Sequence, residues 1–190
     1  MRIRRLVTCT AAAVMIAGIG SATAVATPQS QVKFNFTAQA LIPTYKGKKT
    51  VAFTENYKPG TIIVRTRQRR LYYVLPGGKA IEYGVGVGRE GFQWGGATKV
   101  TRKAVWPTWT PPKEMHERQP GLPVSMPGGP DNPLGARALY LGSSLYRIHG
   151  TAYPHTIGHA VSSGCIRMLN EEVIDLYERT RVGTVVIVEQ

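Results

Sequence analysis

The sequence predicts a mainly β fold: short strands, one short helix and one long proline-rich flap. Three observations predict it. Short β-branched runs recur between glycine and proline turns. Only the stretch from Asn170 to Arg181 carries a helical apolar face. Eight of the 13 prolines fall between Trp106 and Gly135.

The elements follow in order. Thr27 to Lys58 is polar and aperiodic, an extension with one short strand near Lys49 to Thr54. The domain proper begins at Pro59. Thr61 to Thr66 is β-branched and predicts a strand, Arg67 to Arg70 a basic turn, and Leu71 to Leu75 a second strand. Pro76-Gly77-Gly78-Lys79 is a turn, and Ala80 to Val87 a third strand. Tight turns between consecutive strands mean antiparallel pairing. Gly88 to Gly96 is too rich in glycine for a helix, and it lacks the Gly-Lys-Ser/Thr ending of a phosphate loop. Two strands are expected near Thr98 to Val105. Trp106 to Gly135 is too long for an ordinary connection. Its Trp106, Trp109 and Met115 speak against disorder, so it is expected to be an ordered flap. "ALYLG" and "LYRIHG" predict two strands. Asn170 is placed to cap a helix, with Glu171 and Glu172 at its positive end and Arg179 and Arg181 at the other. "GTVVIVEQ" closes the chain as a buried strand.

The ends and totals narrow the classes. Residues 1–26 have the pattern of a secretory leader: Arg2, Arg4 and Arg5, an apolar run from Leu6 to Ile19, then Ala24-Val25-Ala26 as a small-residue cleavage site. The run is short for a membrane span, so no stable membrane insertion is expected once it is cleaved. The net charge of +13 calls for an acidic polymer or simply for solubility. Export argues against nucleic acid, and no helix is basic and amphipathic enough to lie on a membrane. A wall polymer bearing carboxylates remains.

Of the two cysteines, Cys9 lies in the leader and Cys165 stands alone. Exported proteins usually pair their cysteines. A lone thiol is a buried hydrophobe, an intermolecular bridge or a nucleophile. The neighbours of Cys165 favour the nucleophile. His149, His155 and His159 lie upstream as candidate bases, and Arg167 lies two residues on. Gly164 permits a tight turn that aims backbone amides at an oxyanion. Zinc is the rival, through His149, His155, His159 and Cys165. Pro154 and Gly158 argue against the helix that would align His155 with His159, so no metal and no cofactor are expected.

The sequence resembles the L,D-transpeptidase family, with its YkuD-type catalytic domain. The resemblance rests on "IHGT" at Ile148 to Thr151, "TIGHAVSSGCIRMLNEEVIDLY" at Thr156 to Tyr177 and "VGTVVIV" near the end. "PGTIIV", "GVGVGREGF" and "TRKAVWPTWTPP" support it. It implies a β-sandwich with one short helix after the cysteine loop, over residues 59–190. It implies Cys165 as nucleophile, His149 as proton acceptor, and the amides of Ser163, Gly164 and Cys165 as oxyanion donors. Arg167, Gly150, Ser162, His159 and Trp109 are implied or expected at the substrate. Many members carry histidine where this chain has Ser163. The implied activity is cross-linking of peptidoglycan stem peptides in the periplasm or cell wall of a bacterium. An envelope protein amine or water is an alternative acceptor. A basic wall-binding module without catalysis is the non-enzyme alternative, and it would need the thiol to be inert.

Overall fold

The computed structural model describes residues 45–190. The expected leader, residues 1–26, and residues 27–44 of the extension lie outside the described residues. Four strands open the fold: β1 (Lys49–Ala52), β2 (Ile62–Arg65), β3 (Arg70–Leu75) and β4 (Lys79–Gly84). β2, β3 and β4 form the expected antiparallel meander. Pro76, Gly77 and Gly78 make its second turn, with both glycines at positive φ (73° and 66°), a conformation glycine adopts without strain. β1 pairs with β4, so part of the extension is woven into the sheet.

β5 (Val87–Gly88) is short and is followed by β6 (Gly96–Val105). The two strands expected near Thr98 to Val105 are one ten-residue strand. A register shift between Val100 and Arg102 lets it pair with two neighbours in succession. The flap is ordered, as its aromatics suggest. It holds α1 (Lys113–Arg118), and Trp109 and Met126 exchange both backbone hydrogen bonds at 2.8 Å. The buried Asn132 ties it down. Its amide donates to the carbonyls of Pro107, Met126 and Pro127, and its oxygen accepts from Leu134 N.

β7 (Arg137–Leu141), β8 (Arg147–His149), β9 (Ala160–Ser162), β10 (Ile166–Arg167), α2 (Asn170–Arg179) and β11 (Val185–Glu189) complete the chain. Pro154–Thr156 forms a single 3-10 turn. One nine-stranded sheet runs β1-β4-β3-β2-β11-β6-β7-β8-β10, beside the pair β5-β9. Two of its pairings, β11 with β2 and β10 with β8, are parallel, and the others are antiparallel. The sheet curls: Ile62, Leu71 and Tyr83 of one half share a core with Leu139, Ile148 and Ile166 of the other. Val173 and Leu176 of α2 enter the same core. Each such fully buried aliphatic side chain contributes about 1.5–3 kcal/mol.

The cap of α2 differs from expectation. Its N-cap is Leu169, with no side-chain cap. Asn170 reaches across the fold instead. Its Oδ1 accepts from Ala136 N at 2.9 Å and Thr151 N at 3.3 Å, and its Nδ2 donates to Thr151 O at 3.1 Å. Those amides belong to the buried Ala136 and Thr151, at the end of the flap and in the turn after His149, where an unpaired donor would be costly.

Candidate active site

Two short strands place the chemistry. β8 and β10 run parallel, Ile148 opposite Ile166 and His149 opposite Arg167. Both isoleucines are buried in the core. Side chains alternate along a strand, so Arg147, His149, Cys165 and Arg167 face the other way together. Cys165 precedes β10 by one residue, opposite Arg147 and diagonal to His149, within reach of a long side chain.

His149 is 3% exposed. Its Nδ1 lies 2.6 Å from the carbonyl oxygen of Gly150. A carbonyl only accepts, so Nδ1 carries the proton and Nε2 is left as the acceptor. Burial, and then the Arg167 charge, pull the His149 pKa down to about 3. The ring is therefore neutral at any working pH. Burial pushes the half-buried Cys165 thiol up, against the pull of Arg147 and Arg167. Its Sγ rests 3.7 Å from Leu145 O. The resting pair is thus thiol and neutral imidazole, and the proton moves when the sulfur attacks.

The cysteine loop is clamped. Gly164 has φ +105°, and a Cβ there would lie 2.4 Å from the ring of Tyr146, so only glycine fits. Trp94 stacks on Tyr146 with ring centres 4.6 Å apart, and its Nε1 donates to Gly164 O at 2.7 Å. Ser162 Oγ donates to Cys165 O at 2.5 Å and accepts from Gly164 N at 3.2 Å. The Gly164 amide, expected to face an oxyanion, is engaged by Ser162 in this structure. The amides of Ser163 and Cys165 have no hydrogen-bond partner among the described residues.

Residues 59–188 match the YkuD family model, the L,D-transpeptidase catalytic domain. The chain belongs to the L,D-transpeptidase family. It is 44% identical over 132 residues to the probable L,D-transpeptidase YbiS of Escherichia coli K12, covering 65% of this chain and 42% of the relative. The chain thus spans less than half the length of that relative. An L,D-transpeptidase structure from Mycobacterium smegmatis, 14% identical, shares the fold with a TM-score of 0.56 over 68% of this chain and 58% of that one. A Brucella melitensis structure named a probable carnitine operon oxidoreductase is 44% identical, with a TM-score of 0.52 over 76% of this chain and 93% of that one. In the present chain Gly86 to Gly91 does spell Gly-x-Gly-x-x-Gly. It leads through a turn into β6, not into a helix whose N-terminus would hold a pyrophosphate.

The other nominated residues take varied places around the transpeptidase site. Arg167 is on the cysteine's face, with a buried Nε that has no partner. Its backbone exchanges hydrogen bonds with Gly86 at 2.8 and 2.9 Å, which fixes β10. Gly150 and Ser162 also have local partners: the Gly150 carbonyl faces His149 Nδ1, and Ser162 Oγ bridges Cys165 O and Gly164 N. His159 holds a turn through its backbone: its carbonyl accepts from Val87 N and its amide donates to Thr156 O. Trp109 pairs with Met126 inside the flap, and Trp94 is the tryptophan that touches the cysteine loop. Among the described residues no three His, Cys, Asp or Glu side chains are grouped in a way that could hold a metal. Sequence reasoning missed Arg147. The signal was available, because Arg147 stands two residues before His149 and strand alternation puts both on one face.

Proposed function

We propose that this chain is an exported L,D-transpeptidase that acts on peptidoglycan tetrapeptide stems. The observation that carries it is a lone thiol, Cys165, on the same face of the β8–β10 pair as the buried, neutral His149. Cys165 Sγ attacks the carbonyl at the L-centre of the third stem residue, and its proton passes to His149 Nε2. The amides of Ser163 and Cys165 hold the oxyanion. On collapse the C–N bond breaks, His149 returns the proton to the amine, and D-Ala leaves. A diaminopimelate amine of a second stem then attacks the thioester. His149 takes its proton, the Cys165 thiolate departs and is reprotonated, and a 3→3 link results. The leader-like residues 1–26 support export to the compartment where such stems lie.

The test is mass spectrometry of the protein lacking its leader, mixed with disaccharide-tetrapeptide, beside Cys165→Ala. The expected product is a dimer lacking one D-Ala, formed only by the wild type. Release of D-Ala without dimer would assign water as the acceptor of this assay. An unchanged substrate, with no acyl adduct on Cys165, would overturn the catalytic assignment.

A further inference from the structure

A cavity of ≈210 Å³ opens between α1 and the cysteine loop, lined by Arg89, Met115, Arg118, Gln119 and Ser163. It meets the cysteine loop at Ser163, two residues before Cys165 in the chain. Its two cations are organised. Arg89 Nη1 donates to Ser163 Oγ at 3.4 Å. The guanidinium carbons of Arg89 and Arg118 lie 4.2 and 5.1 Å from the centre of one ring, Phe92. Such a ring attracts cations and holds their planar forks ready for a flat, bidentate anion.

Nothing acidic answers these charges. Among the described residues neither arginine has an Asp or Glu partner within ion-pair distance. Glu117, beside Arg118 in sequence, pairs with Lys113 instead. Arg167 is a third cation close by. Burial first, and the charge of Arg89 after it, hold its pKa below the usual guanidinium value. Like charges crowded without a counter-charge repel one another, and a bound anion relieves them. The cavity is smaller than the roughly 300–1,000 Å³ that encloses a drug-sized ligand. It therefore takes one end or branch of a ligand whose body lies elsewhere.

We propose that this cavity is a carboxylate subsite, in which Arg89 and Arg118 grip a free carboxylate of the peptide whose carbonyl faces Cys165. The subsite rests on the transpeptidase reading of Cys165 and His149. Two carboxylates of such a peptide have the required chemistry: the C-terminal one on the leaving residue, and the one at the far end of the stem's diamino acid. Because α1 supplies Arg118, the flap becomes part of substrate recognition.

The test uses Cys165→Ala protein, which binds without turnover, and calorimetric titration with disaccharide-tetrapeptide. Two analogues carry an amide in place of one carboxylate each. The acid form is expected to bind about tenfold more tightly than one of the amides, as a charge-assisted pair would give. Adding Arg118→Gln or Arg89→Gln should erase that preference, with circular dichroism showing both variants folded. Which amide weakens binding assigns the gripped carboxylate. Equal binding of all three ligands, an unchanged preference in both arginine variants, or no binding at all overturns the subsite. Wild-type turnover separates the two ideas. Turnover alongside arginine-independent binding removes only the subsite. Arginine-dependent binding without turnover keeps the subsite and removes the transpeptidase.

Discussion

His149 is a residue whose ionisation the fold controls through burial, and the control has a measurable cost. Its folded pKa of about 3 lies below the ordinary histidine value of about 6.5. Between those values the unfolded chain binds a proton that the folded chain refuses. Stability should therefore fall as pH drops through this window, by at most about 1.4 kcal/mol per pH unit from this group. His149→Gln removes the slope and leaves the carboxylate contributions in place. Urea midpoints at pH 7, 5 and 4 should show wild type losing ground to the variant as the solution is acidified. Parallel curves would mean that His149 protonates freely in the folded state. Cys165 was legible in the sequence because a lone thiol after a leader-like segment is unusual in itself, whereas His149 is one of three candidate bases and is singled out by the family resemblance. The diversion of the Gly164 amide was not legible. It depends on a loop shape set by Trp94 and Tyr146, which lie 70 and 18 residues away in the chain.

Among the elements, β8 and β10 are only three and two residues long, so something must hold them. Asn170 is one such anchor. Its side chain makes three hydrogen bonds to the backbones of Ala136 and Thr151, tying the start of α2 to the chain on either side of β7 and β8. Asn170→Ala leaves those amides and that carbonyl unsatisfied at a partly buried place. The expected loss is about 2–3 kcal/mol, read as a lower denaturant midpoint, with slower acylation of Cys165 as the turn after His149 loosens. Asn170→Asp keeps the acceptor but sets a carboxylate against Thr151 O, so it should recover only part of the stability. A variant as stable as wild type would reduce Asn170 to an ordinary first-turn residue. The sequence placed β2, β3, β4, β7, β8, α2 and β11 because alternation, turn glycines and one apolar helical face are local signals. The single long β6 was not visible, since its bulge arises from changing partners between β11 and β7. The role of Asn170 was misjudged for a related reason: a residue suited to a local cap was claimed by two distant segments.

At the scale of the whole molecule, the family match starts at residue 59, yet the sheet starts earlier. β1 covers the β4 edge, with Lys49 opposite Glu82 and Ala52 opposite Lys79. Phe53, 6% exposed, packs into a second core with Ile63, Tyr72, Val74 and Ala80, flanked by Val51 and Tyr57. Tyr57 Oη donates to Glu189 at 3.0 Å, and Tyr45 Oη donates to the buried Glu172 of α2 at 2.6 Å. Burial raises the Glu172 pKa, and the Tyr45 bond acts against it. Residues 45–58 thus close the outer face of the meander and shield a carboxyl on the helix that follows the nucleophile. A chain of residues 59–190 should therefore be less stable than one of residues 45–190 by about 5 kcal/mol, the loss of burial for a few large apolar side chains. It should also self-associate through the bared β4 edge, as exposed strands do. Guanidinium unfolding measures the first effect and size-exclusion chromatography the second. Equal midpoints and a monomeric short chain would show that the sheet is complete without β1, and that residues 45–58 are a passive wrapping.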